Sequence, residues 1–127
     1  MSMQDEFNER LLATFRVEAE EHIQALLAGL EGIRAAVGPA ERQACLETVF
    51  REAHSLKGAA RAVDIRPVEV VCQAMENAFA VAKKGLIELS DAVVEALLRS
   101  VDLLSMLVNS PDSVDAGACV DELNRIA

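Results

Sequence analysis

Apolar residues return every three or four positions in five successive segments of this chain, and a spacing of that kind restricts it to packed amphipathic helices. The first stripe runs through Phe7, Leu11, Phe15, Ala19, Ile23, Leu26, Leu30, Ile33 and Val37, and Gly38-Pro39 ends it. Pro39 suits the first turn of a second helix, with Leu46, Val49/Phe50, Ala53, Leu56, Ala60 and Val63 on its apolar side. After a break at Asp64-Ile65-Arg66-Pro67, a third stripe carries Val68, Val71/Cys72, Met75, Ala78/Phe79 and Ala82. Lys83-Lys84 occupies its last turn, where cations suit the negative helix end, and Gly85 follows. Ser90 caps a fourth helix bearing Val94, Leu97/Leu98, Val101, Leu104/Ser105 and Val108. Beyond the loop Asn109 to Ser113, a short fifth helix holds Ala118, Cys119, Leu123 and Ile126. No segment reads as a strand. The expected fold is all-α: an up-and-down four-helix bundle with a fifth, C-terminal helix packed on it.

At 127 residues the chain suits one core, so residues 1–127 are taken as a single module. Its net charge of −9 disfavours nucleic acid and anionic lipid as ligands and points to protein partners. Cys45, Cys72 and Cys119 are odd in number and form no C-x-x-C, which fits a reducing cytoplasm better than a disulfide framework or a zinc site. The N-terminal residues carry no signal-peptide pattern, and no stretch is apolar enough for membrane insertion.

Several chemistries lose their usual support. A di-iron bundle needs Glu three residues before His, yet Ala19 precedes His22 and Arg51 precedes His54 at that spacing, so no metal site is expected. Glycine-rich phosphate loops and the G-x-S-x-G elbow are absent. His22, among Glu20, Glu21 and Gln24, reads as an ordinary surface or structural side chain.

The run Phe50-Arg51-Glu52-Ala53-His54-Ser55-Leu56-Lys57-Gly58-Ala59-Ala60-Arg61 is different. His54 lies roughly 120° from the centre of the second helix's apolar stripe, so its ring faces water. Lys57, Gly58 and Arg61, at i+3, i+4 and i+7, share that surface. Lys57 can offer an ammonium to phosphoryl oxygens, and Arg51 and Arg61 add positive potential. Gly58 costs roughly 1 kcal/mol relative to Ala inside a helix, which calls for a reason: it either clears space for a partner above the ring or marks a close helix contact. A nucleophilic histidine also needs its second nitrogen held by an acceptor, and Glu76 or Gln73 on the third helix can provide one.

His54-Ser55-Leu56-Lys57-Gly58-Ala59-Ala60 resembles the motif of histidine-containing phosphotransfer (HPt) domains. Phe50-Arg51 and Met75-Glu76-Asn77 resemble more narrowly the N-terminal P1 domain of CheA-type chemotaxis histidine kinases. The resemblance implies that His54 accepts a phosphoryl group on the nitrogen away from Glu76, that Lys57 attends that group, and that a response-regulator receiver domain docks over Arg51, Ser55, Gly58 and Arg61. It further implies that a separate histidine kinase ATP-binding domain loads the ring, with ATP and Mg²⁺ bound by the partners and no cofactor held here. The domain would be substrate and donor, with no catalysis of its own. A free-standing phosphorelay carrier would use the same residues, and a helical adaptor without phosphoryl chemistry is the reading from another class. Asp64 departs from the pattern by standing where a glycine commonly ends the second helix, and Arg61 and Gln73 replace a small residue and a histidine.

Overall fold

The computed structural model describes residues 2–127, and all five helices are present: α1 (Met3–Ala35), α2 (Pro39–Ala62), α3 (Arg66–Lys83), α4 (Asp91–Asn109) and α5 (Gly117–Ile126). Their ends follow local chemistry. Ser2 and Asp5 exchange side chain-to-backbone hydrogen bonds in a capping box at the start of α1, and Ser90 accepts from the Val93 amide at the start of α4. Pro39 fills the first turn of α2, where its missing N–H leaves no bond unmade. Asp64 turns the chain between α2 and α3 at φ 59°, a left-handed geometry that Asp tolerates with some strain, and Gly85 makes the turn after α3 at φ 74°.

The helices form a ring in which α1 packs between α2 and α4, α3 closes the circle, and α5 lies over the α3–α4 edge. Cross-helix pairs fix the directions: Leu11 and Leu12 meet the Val63 end of α2 while Gly32 meets Cys45, so α1 and α2 run antiparallel. Arg61 with Glu69 and His54 with Glu76 set α2 against α3 in the same way. Phe79, Leu26, Leu30, Leu56, Met75, Leu97, Leu104 and Leu123 fill the centre. Every buried side-chain nitrogen or oxygen among the described residues is hydrogen-bonded. None of their helices is long and apolar enough to cross a membrane.

The α1–α2 seam depends on two glycines. A Cβ at Gly29 would stand 2.4 Å from Val49 Cγ1, and one at Gly32 would stand 2.8 Å from Cys45 Sγ. Both positions let the helices approach closely. Gly29→Ala should therefore destabilise the domain by about 1–2 kcal/mol, the clash outweighing Ala's better helix propensity. Urea unfolding provides the measurement, and equal or greater stability would contradict this account of the seam.

The first stripe is only partly a core stripe. Phe7 is 54 % exposed and Leu11 42 %: α1, at about 50 Å, outruns the roughly 36 Å of α2, so its opening turns are less covered than the rest of the stripe. Val37 lies beyond the end of α1 and is almost fully exposed.

Candidate functional site

Burial of Ala53, Leu56 and Ala60 against the bundle rotates His54 outward, and its side chain is 67 % exposed. From α3, the side chain of Glu76, only 8 % exposed, reaches the ring: Oε1 lies 2.5 Å from Nδ1. A carboxylate only accepts, so Nδ1 carries the proton and donates it, which in the neutral ring leaves the lone pair on Nε2. Glu76 Oε2 takes a second bond, from Lys57 Nζ at 2.7 Å. One buried carboxylate thus holds a histidine and an ammonium together.

Lys57 is held more firmly than its surface position suggested. Its side chain is 13 % exposed, and Nζ also donates to Gln73 Oε1 at 3.1 Å. Gln73 in turn donates from Nε2 to Asn77 Oδ1 at 2.9 Å. Gln73 therefore does not orient the ring: its carbonyl, one turn before Glu76, is taken by the stronger donor, the ammonium. Asn77, which carries part of the resemblance but has no assigned role in the sequence reading, anchors Gln73 and belongs to the same network. Cys72 lies one turn before Glu76 in the core, and burial followed by the Glu76 charge pushes its thiol up to about 12, so it stays protonated and inert.

The remaining docking candidates differ in freedom. Arg51 is exposed and makes no ion pair among the described residues. Ser55 is half-buried. Arg61 is exposed but bonds Glu69 through both Nε and Nη2 at 2.8 Å, bridging α2 to α3 beyond the site. Gly58 is exposed, and a Cβ there would meet nothing within 4 Å, so it serves no helix contact. Gly58→Ala should stabilise the domain by about 1 kcal/mol, seen as a higher urea midpoint. A loss of stability would show that the glycine has a structural task within the fold.

A second histidine–carboxylate pair exists. His22 Nδ1 lies 2.6 Å from Glu52 Oε2, joining α1 to α2, and its side chain is 27 % exposed. Nothing in the spacing of the chain marks Glu52 as its partner, and among the described residues no lysine bonds this pair. No cluster of His, Cys, Asp and Glu suited to a metal ion occurs among the described residues.

Comparison with known proteins adds three findings. The family model of the Hpt domain matches residues 10–107. Chemotaxis protein CheA of Treponema pallidum (strain Nichols) is 31 % identical over 106 residues, covering 84 % of this chain and 13 % of that protein. CheA of Borreliella burgdorferi is 26 % identical over 108 residues, covering 85 % of this chain and 12 % of its own length. The chain thus spans about an eighth of each curated relative. Among solved structures, the phosphorylated P1 domain of CheA3 from R. sphaeroides, in complex with CheY6, superposes with a TM-score of 0.77 at 22 % identity, covering 92 % of this chain and 95 % of that one.

Proposed function

Because this chain belongs to the Hpt domain family, we propose that His54 accepts a phosphoryl group from a kinase's ATP-binding domain and passes it to an aspartate of a response-regulator receiver domain. The observation that carries the reading is the Glu76 carboxylate on Nδ1 of an otherwise exposed ring, which directs the reactive lone pair to Nε2. In the loading step a bond from Nε2 to phosphorus forms as the bond to the ADP oxygen breaks. The Nδ1 proton stays in place, and Glu76 offsets the positive charge the ring acquires. In the second step the N–P bond breaks as the aspartate oxygen bonds phosphorus, and the lone pair returns to Nε2.

Lys57 begins on Glu76 and Gln73, within one helical turn of His54, and is the ammonium positioned to follow the incoming phosphoryl oxygens. ATP and Mg²⁺ belong to the partners in this scheme. The named CheA relatives favour a chemotaxis kinase as the parent protein, and three free cysteines suit a cytoplasmic setting.

The test is incubation of the domain with a CheA ATP-binding domain and radiolabelled ATP. Label that is acid-labile, alkali-stable and discharged by a receiver domain is the expected outcome. Acid-stable label, or none, would overturn the proposal.

A further inference from the structure

One turn before His54, on the same side of α2, Phe50 is half-buried, and Lys83 of α3 places its ammonium 4.6 Å from the centre of the Phe50 ring. Arg51, Lys83 and Lys84 are exposed and make no ion pair among the described residues. Glu47 is the exposed carboxylate nearest to them along α2.

The charge of the whole chain is divided sharply. Residues 39–84, which supply α2 and α3, carry seven Lys/Arg and six Asp/Glu, whereas the rest of the chain carries five and fifteen. The outward side of His54 therefore lies on the one part of an acidic module that is not itself acidic. Two of the six carboxylates, Glu69 and Glu76, are already engaged with cations of α2.

We propose that Phe50, Arg51, Lys83 and Lys84 form the landing edge of the docking surface, drawing in a partner whose facing surface is acidic. The proposal rests on the phosphotransfer reading and commits to the receiver domain as the occupant. A domain that offers an aspartate to phosphorus, together with the carboxylates that hold its divalent ion, presents an acidic face there. The α1 and α4–α5 sides, by contrast, repel such a face and disfavour unproductive encounters. Cations outside the reacting centre act on the encounter rate and its salt dependence, while the step at Nε2 is left alone.

The experiment uses domain already phosphorylated at His54 and a receiver shown to discharge it. Its readout is kcat/KM for discharge against ionic strength. In the triple variant Arg51→Gln, Lys83→Gln, Lys84→Gln, kcat/KM should fall about tenfold at low salt, with kcat at saturating receiver held within about twofold and a flatter salt dependence. A control triple, Arg10→Gln, Arg16→Gln, Arg125→Gln, removes the same charge from the acidic sides and should change kcat/KM by less than about twofold. Phe50→Leu separates the ring from the charges and should raise KM without altering the salt slope. Equal losses in both triples, or no loss in the first, would overturn the landing edge while leaving the phosphotransfer reading intact. Failure of unmodified domain to take or discharge label would instead overturn that reading.

Discussion

His54→Gln should abolish phosphorylation of the domain altogether, while His22→Gln leaves the rate within about twofold, the spread expected of a change outside the reacting centre. The two histidines invite the comparison because each donates Nδ1–H to a carboxylate across a helix interface, to Glu76 and Glu52 respectively. Their surroundings differ in what a phosphoryl dianion would meet. At His54 the carboxylate also carries Lys57, and Arg51, which makes no ion pair among the described residues, stands nearby on the same helix. At His22 the neighbours along α1 are Glu18, Glu20 and Glu21, and the ring is less than half as exposed. Like charge along that helix opposes a dianion, and the partial burial opposes close approach. Phosphopeptide mapping after alkaline quench distinguishes the sites. Label surviving in His54→Gln, or lost in a folded His22→Gln, would show that the carboxylate contact alone selects the nucleophile.

The helices were legible from the chain because their punctuation is chemical: Pro39, Asp64, Gly85 and Ser90 each stop or start an element by a local rule. The approach of Glu76 to His54 could also be read, since antiparallel neighbours with outward flanks bring those positions together. What could not be read depends on register and reach. Phe7 and Leu11 satisfy the period of a core stripe, yet period says nothing about the length of the neighbouring helix. The His22–Glu52 pair follows from how far α1 slides along α2, and that is set by Gly29 and Gly32 lying against Val49 and Cys45. Spacing places Gln73 near both Lys57 and His54, and competition between an ammonium and an imidazole, which spacing does not show, decides that its carbonyl meets Lys57.

Glu76→Ala should slow phosphorylation of His54 on the order of 10²-fold, and Glu76→Gln should do no better. The alanine variant frees Nδ1, so the ring populates the tautomer whose proton sits on the nitrogen that must attack. It also leaves Lys57, nearly buried, with Gln73 alone, at a stability cost of about 1–3 kcal/mol. Glutamine restores shape without function. Glu76 accepts two bonds through two oxygens, from Nδ1 and from Nζ, whereas an amide has one oxygen and one donor. The ammonium is the stronger claimant for that oxygen, so the amide NH₂ turns to the ring. Nδ1 must then accept, which moves the proton to Nε2 and removes the nucleophile. The consequence is an ordering that size or charge alone does not produce: Gln stabilises the fold relative to Ala yet phosphorylates as slowly or more slowly. Nitrogen-15 shifts of the imidazole report the tautomer directly, with Nε2 bearing the lone pair in the parent chain and the proton in Glu76→Gln. A glutamine variant that keeps the parent tautomer and rate would show that Glu76 supplies packing to the site and that the ring is oriented by something else.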